Sequence, residues 1–326
     1  MAMINVARLA LTASFFGLQL QAMKLEGSGS SSIEAGATGF KPKLKIGGRV
    51  QDAYLKSFQL WTDETNPDYE IVTSFESYDA ETMAAAIAEM TEAGNAAYVD
   101  VLICPYTSGA TKACVAAVNP SYRGAILAWG GASDSIFESA CKGLNCFGFF
   151  SVGSSYTKTG LDALAAVMDY IRDRPVTVGL VVSRDPFSAS VAAGAEAHID
   201  ATSKLKLLDK VELSVAGQDT EADKSVILDL MSKRPDIVLV AAHNKDVEPA
   251  IIQIGKASYR PSALLATNAL TEPQNYGKEL YYANCVMMPT QWAESDAMID
   301  PVIGWTSTSF KEALAAKKGK DDRVTY

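Results

Sequence analysis

At 326 residues, 48% hydrophobic and 21% charged, the chain has the composition of a globular protein of about two domains, which excludes the disordered and collagen-like classes. Its 38 acidic residues against 29 basic ones leave a net charge of -9, without the basic footprint that nucleic acid requires, and two histidines leave little for His-rich metal chemistry. The first feature is an apolar run behind Arg8, from Leu9 to Leu18, followed by small residues near Ala22. This layout predicts a signal peptide over 1–22; the alternative is an ordinary N-terminal helix. Residues 23–40, with Gly27-Ser-Gly-Ser-Ser-Ser32, have the composition of a flexible linker, so folding is expected to begin near Phe40. No later segment has the ~18 consecutive apolar residues of a membrane span.

From there short apolar runs alternate with amphipathic stretches. A helix is predicted over 82–93 with Asp79 as its N-cap, then a strand over 99–104 and a helix opening at Ser108. A strand over 125–129 ends in Gly130-Gly131. Leu161, Leu164, Ala165, Met168 and Ile171 recur at helical spacing within 161–172. Strands follow over 176–182, 211–215, 236–242, 263–267 and 286–288, with helices over 188–203, 222–233, 247–257 and around 310–316. Such alternation predicts an α/β fold with parallel sheets and right-handed crossovers, arranged as two doubly wound lobes around a cleft. The Gly/Ser-rich stretch 150–155 marks the changeover. One lobe then takes 41–152 with 289–326, and the other 153–288, the chain crossing back near Pro289.

The five cysteines match no zinc spacing. Cys141 and Cys146 flank a turn-like Lys-Gly-Leu-Asn and are the expected disulfide, which suits an oxidising compartment. Cys104 and Cys114 also form a conceivable pair, although one ends a strand and the other lies inside a helix. Cys285, placed in a strand, is left over. Asn119 cannot accept a glycan because Pro120 follows it.

In open parallel sheets, ligands sit beyond the carboxyl ends of the strands. The candidate loops are therefore Pro105 to Gly109 with Tyr106 and Ser108, Gly130 to Asp134, Ser183 to Phe187, His243 to Asp246, Asn268 to Thr271, and Thr290 to Trp292. Small residues admit backbone N–H groups, and hydroxyls at helix N-termini favour an anionic group such as a carboxylate. Taken singly, each loop is also an ordinary turn; their recurrence in both halves singles them out. Catalytic signatures are missing: the chain has no GxGxxG, Walker loop, HExxH or GxSxG. Ser155 to Lys158 fits SxxK and Lys158 to Gly160 fits KTG, but the two overlap and cannot converge from separate elements. His198 lies mid-helix as a structural or surface residue. His243 stands at a strand end with no serine or cysteine nucleophile fixed beside it, and reads as a ligand contact.

Six stretches in order make the chain resemble the type 1 periplasmic binding proteins, in their branched-chain amino acid and amide-binding branch. They are Phe58-Gln-Leu-Trp61 before Asn66, Asp100 to Thr111, Gly130 to Phe137, Ser154 to Ala165, Arg184 to Ala195 and Pro235 to Asp246. The resemblance implies two α/β lobes joined by crossing strands and closing on a small ligand, with no catalysis and no cofactor. It places the ligand carboxylate on Ser108, with contacts from Gly131, Ala132 and Ser133. Phe187, His243 or Asn244, and Asn268 would close from the other lobe. Amino-acid binders of this kind carry an acid near Asn268 and often a tyrosine at Phe187. A buried ammonium here would therefore need Asp246 or Asp185, and an amide, a urea-like compound or another carboxylate fits as well. The implied role is a secreted, periplasmic or surface-exposed solute-binding protein delivering to an ABC permease. The alternatives are a receptor's extracellular sensor domain and, more remotely, a two-domain enzyme such as an amide hydrolase. Family members continue past the position of Tyr326, so a C-terminally truncated chain is expected.

Overall fold

Two parallel sheets organise the chain, and the valine- and isoleucine-rich run Ile237–Ala241 is the central strand of one of them. The computed structural model describes residues 43–48, 70–75, 82–170, 173–214, 220–267, 273–289, 299 and 304–318. The first sheet holds β1 (Lys43–Gly48), β2 (Glu70–Phe75), β3 (Val101–Ile103), β4 (Ala125–Ala128) and β5 (Asn145–Gly148). The second holds β6 (Val176–Val182), β7 (Leu205–Glu212), β8 (Ile237–Ala241), β9 (Ala263–Ala266) and β10 (Val286–Met287). All pairings within them are parallel, in the orders β2-β1-β3-β4-β5 and β7-β6-β8-β9-β10. Both sheets thus follow the same winding. The chain steps from the first strand to one edge, then returns past it and builds outward, which puts a switch point between β1 and β3 and another between β6 and β8.

The α-helices among the described residues are α1 (Met83–Thr91), α2 (Ser108–Ala117), α3 (Lys158–Asp169), α4 (Pro186–Asp200), α5 (Glu221–Ser232), α6 (Asn244–Lys256) and α7 (Ser307–Lys318). In the second sheet, alternate strand residues point to opposite faces. Val178, Leu180, Val182, Leu239 and Leu265 pack with Leu161 and Met168 of α3 and Val191 and Ile199 of α4. Val181, Val238, Val240 and Ala266 pack with Leu230 and Met231 of α5 and Ile251 and Ile254 of α6. Burial on both faces explains why β8 reads as an unbroken apolar run and β6 as one broken only by Thr177 and Gly179. In the first sheet, Leu102, Cys104 and Ile126 pack with Ile87 and Met90 of α1 and with Cys114 and Val115 of α2. Among the described residues no helix is long and apolar enough to cross a membrane.

Several expectations move. The helix expected over 82–93 runs Met83–Thr91 with Thr82 at its N-cap; Asp79 lies outside the described residues. The strand expected at 211–215 is instead Leu205–Glu212. It is an edge strand, and Lys206, Asp209 and Lys210 on it broke the apolar pattern. Helix α4 begins at Pro186, two residues before Ser188, because Asp185 caps it and proline suits its first turn. Strands β1, β2 and β5 were not foreseen. Lysines interrupt β1, and β5 is a largely exposed edge. Both candidate cysteine pairs are bridged, Cys141–Cys146 and Cys104–Cys114, with Cα atoms 5.7 Å and 5.9 Å apart. Cys285 is unpaired and exposed, and it precedes β10 in a left-handed conformation (φ 65°) rather than lying within a strand. The predicted signal peptide, the linker, Phe58 to Trp61, Asn66, Asn268 and Thr290 to Trp292 lie outside the described residues.

Candidate functional site

The loops after β3 and β4 of the first sheet meet α4 and the segment by which the chain passes to the second sheet. Thr107 caps α2, its hydroxyl accepting the Ala110 amide at 3.2 Å. Ser108, the first residue of α2, is 3% exposed, and its Oγ accepts the amides of Ala132 and Ser133 at 3.0 and 3.1 Å. The hydroxyl and amides expected to meet a ligand thus hold one another, tying the loop after β3 to the loop after β4. Gly131 sits there because a Cβ would lie 2.5 Å from Thr111 Oγ1. Gly109 stands in open space, with nothing within 4 Å of where its Cβ would be. Tyr106 packs on Trp129 (ring centroids 4.9 Å apart) and against the edge of Phe150 (6.4 Å). Burial pushes its phenol up from the ordinary tyrosine value.

On the second sheet, Asp185 caps α4 and accepts the Phe187 and Ser188 amides at 2.9 and 3.0 Å. Phe187 is buried, stacked on His243 (5.0 Å, 28°) and set edge-on to Tyr156 (5.2 Å). His243 Nε2 lies 3.4 Å from Asp185 Oδ1. Asp246, in the first turn of α6, is 4% exposed and accepts the Ser183 hydroxyl at 2.6 Å, joining the loops after β6 and β8. Asn244 contributes the first residue of α6. At the end of β9, Thr267 accepts the Ala242 amide at 3.0 Å.

The two halves meet through small polar side chains. The hydroxyls of Ser133 and of Ser190 on α4 are hydrogen-bonded at 3.0 Å, and Ser190 Oγ also accepts the Asp134 amide at 3.2 Å. Asp134 accepts the Ser154 amide and hydroxyl at 3.1 and 2.6 Å, and the Gly153 amide donates to Ala132 O at 2.6 Å. Ser190 and Thr111 were missed in the sequence because both sit inside helices, where a small hydroxyl residue carries no signal of its own. A groove of about 440 Å³ also opens on the far flank of α4, towards β7. Its charges are already paired, Arg184 with Glu212 at 3.5 Å and Lys210 with Glu196 at 2.7 Å. Among the described residues no cluster of His, Cys, Asp or Glu is placed to hold a metal ion.

Burial pushes the Asp185 carboxyl up, but hydrogen bonds from His243 and from the Ser188 side chain and amide outweigh it and hold the group below the usual carboxylate range. A carboxyl whose folded pKa is depressed stabilises the fold fully above the unfolded value near ~4, and that stability is lost as pH falls through the lower folded value. The urea midpoint should therefore drop more steeply between about pH 5 and about pH 3 in the wild type than in Asp185→Asn. Parallel curves would show that Asp185 contributes nothing.

No family model matches the chain, and no curated protein sequence does. Solved structures do match. An extracellular ligand-binding receptor from Verminephrobacter eiseniae is 12% identical with a TM-score of 0.63, over 88% of this chain and 80% of its own. A solute-binding protein of an R. palustris ABC transporter, solved with 4-hydroxybenzoate, is 13% identical with a TM-score of 0.60, over 86% of this chain and 74% of its own. The leucine-, isoleucine-, valine-, threonine- and alanine-binding protein of Brucella ovis, in its closed conformation, is 10% identical with a TM-score of 0.54, over 88% and 80%. These likenesses establish the two-lobe α/β fold of the type 1 periplasmic binding proteins.

Proposed function

We propose that this chain, folded as a type 1 periplasmic binding protein, is an extracytoplasmic solute-binding protein that closes two lobes on a small carboxylate and catalyses no reaction. The observation that carries this reading is the joining of the loop after β4 of the first sheet to α4, which follows β6 of the second, through Ser133 and Ser190. A ligand held by both would shift an equilibrium between open and closed forms. The lobes would be 41–152 with 289–326, and 153–288. The solute would pass to an ABC permease; a receptor with a membrane part beyond this chain is the alternative use of the same cleft.

Helix N-termini attract anions, and their caps differ here. Asp185 already supplies negative charge to α4, and α6 has Asp246 in its first turn. The neutral Thr107 caps α2, whose first turn holds no acid and where Gly109 leaves open space. A ligand carboxylate would therefore dock beside Ser108. An ammonium group is poorly served, because Asp185 and Asp246 are already engaged by their own partners. Asn268 remains a proposed contact. Amides and urea-like solutes are the competing ligand class, and stabilisation by acetamide or urea without stabilisation by 4-hydroxybenzoate would favour them over a carboxylate. The rings of Tyr106, Trp129, Phe150, Tyr156, Phe187 and His243 favour an aromatic carboxylate over an aliphatic amino acid.

Thermal denaturation with 4-hydroxybenzoate, leucine, acetamide and urea tests this. At 100 times its dissociation constant, a true ligand adds about 2.7 kcal/mol of stability. The expected result is stabilisation by 4-hydroxybenzoate and little by leucine. Stronger stabilisation by leucine would overturn the aromatic preference. No shift with any amino acid, amide or aromatic acid would overturn solute binding itself.

A further inference from the structure

We propose that the Cys104–Cys114 disulfide is a positioning element of the ligand platform, closing a ring on which the Gly130–Ser133 loop is seated. Calling that loop a platform rests on the proposed solute-binding role. The seating itself does not depend on it.

Cys104 follows β3 and Cys114 lies within α2, ten positions on, and both are fully buried (0% exposed). Between them the chain turns from strand to helix and carries Tyr106, Ser108 and Thr111. Each residue of the facing loop rests on one of these three. A Cβ on Gly130 would overlap the ring and carbonyl of Tyr106. A Cβ on Gly131 would meet the Thr111 side chain. Ala132 and Ser133 donate their amides to Ser108 Oγ. Within the ring, the Thr111 hydroxyl donates to Pro105 O at 2.7 Å, and its amide donates to Thr107 O at 2.8 Å. These bonds share the backbone of one short turn, so its shape decides whether all four seats exist together. The disulfide limits the conformations open to that turn. The loop it seats is also the one that reaches Ser190 of α4 and Gly153 of the crossing segment. The ring thus lies under the platform and one contact away from the join between the lobes.

The other disulfide supplies the control. Cys141–Cys146 closes the turn leading into edge strand β5 and encloses none of the seating residues.

Amide hydrogen exchange by NMR on the full chain tests the proposal without any ligand, so a chain that bound no solute would still confirm or refute the seating. In Cys104→Ala/Cys114→Ala the amides of Ala132 and Ser133 should exchange at least about tenfold faster, with Ile126 in β4 and Leu239 in β8 unchanged. In Cys141→Ala/Cys146→Ala all four should keep wild-type rates. If the first pair fails to fold, Cys104→Val/Cys114→Ala conserves the buried volume and the β character of the strand end, and the same outcomes are read from it. Unchanged exchange at Ala132 and Ser133 would overturn the proposal. So would acceleration spread equally to Ile126, because the disulfide would then only stabilise the lobe as a whole.

Discussion

Gly194→Ala lowers stability by about 3 kcal/mol, at the upper end of what overpacking costs, although glycine-to-alanine changes inside helices normally stabilise. Gly194 lies in α4, and a Cβ there would collide with the carbonyl, Cα and carbonyl carbon of Ser154. Those are backbone atoms of the crossing segment, pinned by the bonds of Ser154 to Asp134, so they cannot rotate away as a side-chain tip would. Helix α4 must then move off the crossing segment, which also separates Ser190 from Ser133. The expected readings are a thermal midpoint lower by roughly 6 °C and a larger radius of gyration in X-ray scattering. Gly109→Ala is the matched control, since its Cβ meets nothing within 4 Å. It should be neutral, or stabilise by a few tenths of a kcal/mol. Equal effects from the two substitutions would show that the contact at Ser154 does not matter.

The second large effect is at Phe187. This side chain belongs to the core between the second sheet and α4 and also touches His243 and Tyr156. Phe187→Ala removes a buried ring and should cost about 3–5 kcal/mol in urea unfolding. Phe187→Leu keeps most of the volume and should cost less than about 1.5 kcal/mol, while removing the ring that stacks on His243. The pair therefore separates packing from recognition. Under the proposed reading, Phe187→Leu stays folded yet loses most of the stabilisation given by 4-hydroxybenzoate. Full retention of that stabilisation would remove Phe187 from the ligand site.

Much of the fold was legible because the central strands are covered on both faces. Ile237 to Ala241 is an unbroken apolar run and Val176 to Val182 is broken only by Thr177 and Gly179, and parallel sheets wrapped by helices produce such runs. The edges were less legible. In β7, Lys206, Asp209 and Lys210 keep the strand soluble at its open side and hide it from a search for apolar runs. At the site, loop position alone pointed to Ser108, Gly131 to Ser133, Phe187, His243 and Asp246, because the carboxyl ends of parallel strands are where such sheets bind. What the loops do to one another was not legible. That Ser108 holds two amides, and that Asp246 is engaged by Ser183, depends on residues 24, 25 and 63 positions apart. No local pattern records such pairings.

The repeated winding order has a consequence for how the molecule is made. The described strands of the first sheet are all synthesised by Gly148, before the first strand of the second begins at Val176. Neither sheet borrows a described strand from the other. The described strands of the first sheet can therefore pair as they leave the ribosome, before those of the second exist. Ser190, on α4, is made only after the described strands of the first sheet. The serine pair that joins the halves therefore forms only once the described strands of the first sheet exist, and it sits beside Ala132, which the first half lends to the second sheet's core.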